Sequence, residues 1–354
     1  MPSITIDGIA VQVAEGSTIL DAAQVAGISI PTLCFLKERS AIGSCRVCVV
    51  DVEGEDYPVP SCTTVVREGM VISTDSPRIT AYRRIALDLI ASDVAAGGAC
   101  ETCSSDEWGE LGELCRTYGV TEPSYAAPVR TNVSVLDDNP FLSYDPARCI
   151  RCQRCVGACN KAAYNHTLHA GKRGLRTTIE APFGKDWLAT DCESCGTCAQ
   201  ACPTGALTIK RRRAYHAQEA QRVRTTCPHC GVGCQLDLVV QDGRIVDAIG
   251  AQGPSNKGLL CVKGRSASFD FVDAADRLRT PLVKNPATGE FESATWDEAL
   301  DLVARRFTEL RDEYGGQSLA AFACSRSSNE DIYLFQKMAR TALVTNNVDC
   351  CARV

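Results

Sequence analysis

The sequence has only four histidines in 354 residues, so most metal ligation in it must come from sulfur. It also lacks any apolar run long enough to span a membrane. The first residues, 1–16, show no apolar core of a secretory signal and no twin-arginine pair. A basic excess is missing too. The 43 acidic and 37 basic side chains leave a formal charge of −6, which argues against general nucleic-acid binding. No glycine-rich dinucleotide fingerprint follows a strand-like run, so nicotinamide or flavin chemistry is expected on another subunit. What is abundant is cysteine, with 22 residues. In a chain without an export signal this points to a reducing cytoplasm and metal-bound thiolates, not disulfides. The length suits two or three domains with real cores.

The densest runs are Cys149, Cys152, Cys155 and Cys159, then Cys192, Cys195, Cys198 and Cys202. Both step by two, two and three intervening residues; the second closes on Pro203, and Asn160 holds the matching place in the first. Three thiolates this close can hold three irons of one cubane, while the fourth is turned toward a different cluster. One [4Fe–4S] cluster is therefore expected on Cys149, Cys152, Cys155 and Cys202, and another on Cys192, Cys195, Cys198 and Cys159. Two zinc sites are the competing reading. Zinc motifs rarely cross-pair and lack the three-residue step to a final Cys-Pro.

Residues 1–76 are expected to form a β-grasp domain. Ser3 to Ile6 and Ala10 to Val13 are β-rich runs joined across Asp7-Gly8, a hairpin signal. Ser17 or Thr18 can cap a helix that carries Ile19, Leu20, Ala23 and Val25 and stops at Gly27. The next loop holds Cys34, Cys45 and Cys48, and Cys62 follows the strand-like Val47 to Val52. Gly43 and Ser44 leave backbone room there, and zinc is again the competing reading. In the helical region 77–134, a helix is expected from Ser76-Pro77 through Leu89, with Ile79, Tyr82, Ile85, Ala86 and Leu89 on one face. Cys100, Cys103 and Cys115 follow, then a linker punctuated by Pro123 and Pro128.

Residues 135–210 contain the paired runs, with an insertion between them marked by Gly171, Gly174 and a strand-like Leu175 to Ile179. A basic run, Lys210 to Arg213, leads into a polar helical connector to about Arg224, within a linker 211–225. It reads as a solvated face, with docking to an acidic partner as the alternative. Residues 226–282 open on Cys227, Cys230 and Cys234, and Cys261 comes later. A hairpin of Leu236 to Val240 and Arg244 to Ile249 about Asp242-Gly243 is expected to bring Cys261 back to the first three. His229 inside the motif is read as a neighbour and not a ligand.

In residues 283–354, Thr295 and Glu298 form a capping box for a helix carrying Leu300, Val303, Phe307 and Leu310. Leu319 to Ala323 is a buried-strand pattern, Cys324 reads as a core thiol, and Ser327 with Glu330 is expected to cap a helix to about Leu343. Strand alternating with helix indicates the start of an α/β domain with a largely parallel sheet. Too few elements are present to complete that sheet, so this part is expected to aggregate or to need a partner. The expected fold class is α+β multidomain: a β-grasp domain, a helical region, a double ferredoxin-like domain and an incomplete α/β domain.

Several motifs resemble those of the molybdenum- or tungsten-dependent formate dehydrogenases. They are Cys227-Pro-His-Cys-Gly-Val-Gly-Cys234, the answering Cys261-Val-Lys263-Gly264, Thr295-Trp-Asp-Glu-Ala299, and Asn346-Asn-Val-Asp-Cys-Cys-Ala-Arg-Val354. The extension ahead of them is similar to that of the cytoplasmic, multi-cluster members. The resemblance implies that Cys227, Cys230, Cys234 and Cys261 hold the [4Fe–4S] cluster nearest the pterin, with Lys263 between the two. A Mo or W bis-pterin guanine dinucleotide is then the cofactor of the complete protein. Cys34, Cys45, Cys48 and Cys62 resemble the ligands of the [2Fe–2S] domain that begins the large iron–sulfur subunit of respiratory NADH dehydrogenase. Relatives of this architecture also carry a [4Fe–4S] cluster on one histidine and three cysteines near Cys100 and Cys103. Here Ala96 and Gly109 stand where two of those ligands would be. Either Cys115 rebuilds the cluster with Asp93, Asp106 or a neighbouring segment, or the site is degenerate.

In that family a selenocysteine or cysteine metal ligand comes next. The resemblance thus implies a selenoprotein read up to a recoded stop codon, with no catalytic residue up to Val354. The implied activity is formate oxidation to CO2, or its reverse. Electrons would leave through the Cys227 cluster, the paired cubanes and the Cys34 cluster to a flavin- or NAD-binding subunit, a ferredoxin or a hydrogenase module. The rival is a non-catalytic iron–sulfur carrier subunit of an NADH dehydrogenase or hydrogenase complex. The paired runs are expected to exclude the NADH dehydrogenase subunit, and the Cys227 set the hydrogenase one. Asp349 to Arg353 favours formate over another pterin oxidoreductase such as a nitrate reductase.

Overall fold

The computed structural model describes residues 1–95, 109–125, 134–182, 186–210, 215, 219–265 and 269–351. They fall into two compact units, Met1–Arg211 and Arg212–Val354. Among the described residues no helix is long and apolar enough to cross a membrane.

The first unit opens with the hairpin β1 (Ser3–Ile6) and β2 (Ile9–Gln12), paired Ile6 to Ile9. Its two-residue turn needs positive φ at both positions, and Asp7 and Gly8 supply 47° and 82°. Helix α1 (Ile19–Val25) starts at Thr18, whose hydroxyl accepts from the Asp21 amide while the Asp21 carboxylate accepts from the Thr18 amide. Strands β3 (Val49–Val52), β4 (Val59–Pro60) and β5 (Val71–Ser73) complete a five-stranded sheet ordered β2-β1-β5-β3-β4. Alternation along β1 and β3 places Ile4, Ile6, Val50 and Val52 in one core with Ile19, Leu20 and Ile72. The β-grasp expectation therefore describes the observed architecture.

Helix α2 (Pro77–Ala95) runs longer than expected and turns a different face inward. Ile79, Arg83, Leu87, Ala91 and Val94 are buried, whereas Tyr82, Ile85 and Leu89 are exposed. Arg83 decides the rotation. Its guanidinium donates to the Val49 and Thr74 carbonyls at 2.9 and 3.0 Å and to the Tyr118 hydroxyl at 3.2 Å, which makes its burial tolerable. Helix α3 (Glu110–Thr117) lies against α2.

The ferredoxin-like part is built from β6 (Leu142–Tyr144), α4 (Arg154–Lys161), β7 (His169–Gly171), β8 (Thr178–Glu180), α5 (Thr197–Ala201) and β9 (Leu207–Ile209). Strands β6 and β9 pair antiparallel and close the pseudo-repeat, while β7 and β8 form the expected insertion as a hairpin.

The second unit begins with β10 (Gln221–Thr226), where a helical connector was expected. Pairing overrides its polar composition: β10 is an edge strand on β11 (Gln235–Gln241), and Arg224 forms an ion pair with Asp237 across the ladder. Strand β12 (Arg244–Gly250) returns from β11 through Asp242 and Gly243, both at positive φ. Helix α6 (Val262–Arg265), hairpin strands β13 (Leu282–Lys284) and β14 (Phe291–Ser293), and α7 (Trp296–Tyr314) follow. The Thr295/Glu298 capping box is present.

Strand β15 (Ala321–Ala323) pairs in parallel with β16 (Val348–Cys350), and α8 (Asn329–Thr341) connects them. The α8 cap is Ser328 with Asp331, one residue later than expected, because that pair makes both reciprocal bonds. Cys324, expected as a core thiol, is exposed: it lies just past the end of β15, beside Ser325 and Arg326, where none of the described elements covers it.

Candidate metal centres

None of the described cysteines is in a disulfide. Cys34, Cys45, Cys48 and Cys62 are all buried, and the sulfurs of Cys48 and Cys62 are 3.4 Å apart. The Cys45 thiol hydrogen-bonds Cys34 and lowers it to about 5, while Cys45 itself is pushed far up by that bond and by burial. The second pair behaves alike: Cys62 lowers Cys48 to about 6 and is itself driven up. Two of the four sulfurs thus ionise readily, and a cationic core between them would free the rest. Gly43 sits at φ +62°, where a Cβ would meet the Thr63 hydroxyl at 3.2 Å. The loop that presents Cys45 therefore needs glycine there. The Ser61 hydroxyl, next to Cys62, is buried with no partner among the described residues.

The paired runs wrap two cavities. One is lined by Cys149, Cys152, Cys155 and Cys202, the other by Cys159, Cys192, Cys195 and Cys198. The fourth cysteine of each run lines the cavity of the other run. Burial raises Cys155 first, then the sulfurs of Cys152, Cys202 and Cys149; Cys198 is raised by burial and by Cys195, Cys159 and Cys192. Sulfurs this crowded resist ionisation, and a cationic iron core relieves that.

The backbone repeats with the ligands. Arg151 and Ser194, each two residues past the first cysteine, have φ of 57° and 52°, and Gln153 and Gly196, one past the second, have 57° and 74°. At the first of these left-handed turns the Arg151 N–H faces Cys149 Sγ at 3.4 Å, and at the start of β9 the Leu207 N–H faces Cys202 Sγ at 3.4 Å. Donor sets of this size and polarity fit two [4Fe–4S] cores, as the first set fits a [2Fe–2S] core. Among the described residues no three His, Cys, Asp or Glu side chains converge on a single-ion point.

The first set and the first cavity share a core. Cys34, Cys45 and Cys152 pack in one apolar cluster with Leu33, Leu87, Leu111 and Cys115. Polar contacts lock the join. Arg154 of α4 is 7% exposed and holds Glu110 at 2.6 and 3.1 Å and the Leu33 carbonyl at 3.4 Å, and Arg151 holds Asp93 at 2.8 and 3.1 Å. Asp93 is thus engaged by an arginine. Cys115 is fully buried on α3; Cys100, Cys103 and Asp106 lie outside the described residues.

In the second unit, Cys227 and Cys234 share an apolar cluster with Leu236 and Leu260 and are both raised by burial and by the sulfurs of Cys230 and Cys261, the last of which is exposed. The β11–β12 hairpin returns the chain, and Gly264 on α6 packs against Cys227, where a Cβ would lie 3.6 Å from its Sγ. Lys263 on the same short helix is exposed. The His229 ring lies among Phe269 and Phe271, with Nε2 buried and without a partner among the described residues.

The residue missed in the sequence is Asn256. Its amide donates to the Gln235, Ala251 and Leu259 carbonyls at 2.9, 3.0 and 2.9 Å, and its carbonyl accepts from Gln235 N–H at 3.1 Å. It ties the return loop to β11. Asn256→Ala would strand several buried groups at about 1–3 kcal/mol each before relaxation. The Cys227-set iron should then be lost to a chelator well before the other iron, and retention equal to wild type would show that the loop holds without it.

Known proteins match the chain segment by segment. Residues 2–77 match the 2Fe-2S iron-sulfur cluster binding domain, and 139–208 the ferredoxin-like domain of NADH-quinone oxidoreductase subunit 3. Residues 220–271 match the molybdopterin oxidoreductase Fe4S4 domain, and 277–354 molybdopterin oxidoreductase. The chain is 34% identical to the NADPH-Fe(3+) oxidoreductase subunit alpha of Geobacter sulfurreducens, over 100% of this chain and 40% of that protein. It is 33% identical to an NADH-quinone oxidoreductase subunit of Rhizobium meliloti, with the same coverage. A Staphylococcus haemolyticus protein named as a formate dehydrogenase is 28% identical over 99% of this chain and 39% of its own length. The chain thus spans about 40% of the length of the curated relatives it matches. The crystal structure of an H2-reduced NAD+-reducing [NiFe]-hydrogenase aligns at 30% identity and TM-score 0.51, covering 59% of this chain and 87% of that one. The match over 139–208 corrects one expectation: paired ferredoxin runs do not separate this chain from NADH dehydrogenase subunits.

Proposed function

From a chain that belongs to the molybdopterin oxidoreductase family and carries its iron–sulfur electron-transfer region, we propose the relay of a cytoplasmic formate dehydrogenase or CO2 reductase. The observation that carries the relay is the shared packing of Cys34, Cys45 and Cys152, which joins the first cysteine set to the cross-paired cavities through an unbroken core. Cys34, Cys45, Cys48 and Cys62 would hold a [2Fe–2S] core. Cys149, Cys152, Cys155 with Cys202, Cys192, Cys195, Cys198 with Cys159, and Cys227, Cys230, Cys234 with Cys261 would each hold a [4Fe–4S] core. When bound, these cores supply one-electron carriers, and a Mo or W bis-pterin supplies the acceptor for the two electrons released as formate becomes CO2 and a proton.

The chain's own residues bury the sulfurs and present amides to them, which tunes potentials, and within residues 1–211 a shared core holds the Cys34 set beside the paired runs. Lys263 would face the pterin from the Cys227 set. The name of the Staphylococcus haemolyticus relative and the Asn346 to Cys351 motif support formate as substrate. A second reading has support too: the hydrogenase alignment and the Rhizobium meliloti relative favour a carrier subunit that passes electrons to a flavin- or NAD-binding partner. Dye reduction by the holoprotein carrying this chain separates them. Formate should reduce a viologen dye, and nitrate should not reoxidise it; a holoprotein inert to formate that accepts electrons from NADH through a partner would sink the formate reading.

A further inference from the structure

We propose that the indole N–H of Trp187 donates a hydrogen bond to sulfur of the core held by Cys159, Cys192, Cys195 and Cys198, and so sets how readily that core is reduced. The inference rests on the ligand assignment proposed above.

Trp187 opens a single 3-10 turn, Trp187–Ala189, in the insertion that precedes the second run. Its side chain is 3% exposed and lines the same cavity as those four cysteines. Its Nε1 is buried and finds no acceptor among the described residues. An unpaired buried N–H is costly, and native proteins rarely leave one. The polar side chains on the wall offer little. Asn165 presents its side-chain oxygen to Cys195 Sγ at 3.8 Å, and the Thr167 hydroxyl is turned to the Asn165 carbonyl at 3.4 Å. Leu142 and Leu168 supply apolar wall. Among the described residues, sulfur inside the cavity is the acceptor that remains.

The ring is also held in place. On one side it stacks on Tyr144, with centroids 6.0 Å apart and planes at 21°. Tyr144 lines the other cavity, and its hydroxyl is fixed by Thr178 at 3.3 Å and by the Ile179 N–H at 3.3 Å. The Trp187 carbonyl accepts from the Thr190 hydroxyl and amide at 2.5 and 3.3 Å. A donor fixed before the electron arrives favours the more negative, reduced core over the oxidised one. Tryptophan has a donor and no acceptor, so its ring can bond sulfur without itself taking up a proton.

The test is a reductive titration of the holoprotein followed by electron paramagnetic resonance, with Trp187→Phe keeping the ring and removing the N–H. The signal of this core is identified as the one lost in Cys195→Ser. In Trp187→Phe it should reduce about tenfold less readily, a potential about 59 mV lower for a one-electron couple, with iron content and the other signals unchanged. Should that variant fail to fold, wild type labelled with 15N-indole tryptophan should show nitrogen hyperfine coupling to the same reduced signal. An unchanged potential at full iron content, or no such coupling, overturns the inference. The absence of any Cys195-dependent signal overturns the ligand assignment itself, and the inference with it.

Discussion

Replacing Cys159 and Cys192 together by alanine should remove about four irons per chain, no more than either replacement alone, since both serve one [4Fe–4S] core. Replacing Cys159 with Cys149 should remove about eight. Self-contained runs predict the reverse pattern, because Cys159 and Cys149 would then belong to one core. The expectation follows from the cavities: Cys159 lines one with Cys192, Cys195 and Cys198, and Cys149 lines the other with Cys202. Iron and acid-labile sulfide assays on the two double variants read the outcome directly. Alanine at these positions leaves small voids, so a folding control by circular dichroism should show both variants retaining their helices.

Gly157→Val should lower stability and slow electron passage between the first set and the paired cavities while leaving iron content intact. Gly157 lies on α4 with no room for a side chain. A Cβ there would press into the Arg39 carbonyl and sit 3.1 Å from the Ser40 Cβ, so the backbone itself has to yield. Overpacking of this kind costs about 1–3 kcal/mol. It acts where Arg154, one turn earlier, holds the Leu33 carbonyl next to Cys34. Relief of the clash moves the 39–40 loop off α4 and opens the join. The checks are a denaturation midpoint and the rate at which the [2Fe–2S] signal appears after the paired cores are reduced. A variant with unchanged stability and rate would mean that the loop relaxes without disturbing the join.

Local chemistry made much of this architecture readable. Asp7-Gly8 and Asp242-Gly243 can adopt the left-handed turn that a tight hairpin requires, and both do. Thr18 and Thr295 reveal helix starts because their reciprocal acid lies three residues on. The cross-pairing of the two runs is legible because three thiolates so close in sequence serve one core, and in such paired runs the fourth serves the other core. Tertiary context hid the rest. Nothing in the pattern of α2 says that Arg83 is inside, because its acceptors come from β3, the end of β5 and the segment after α3. The polar run Gln221–Thr226 becomes a strand only through its partner β11. Asn256 looks like one more polar loop residue until its four bonds are traced. Cys324 reads as core from its apolar neighbours, but only a covering element would have made it so.

Helix α4 carries Cys155 to one cavity and Cys159 to the other. Four residues of helix rise about 6 Å, and a hydrogen-bonded turn does not stretch. It therefore acts as a ruler between the two cores. Breathing of the surrounding loops leaves their separation nearly constant, so the hop between them should be the step least sensitive to temperature, solvent viscosity or the docking of a partner.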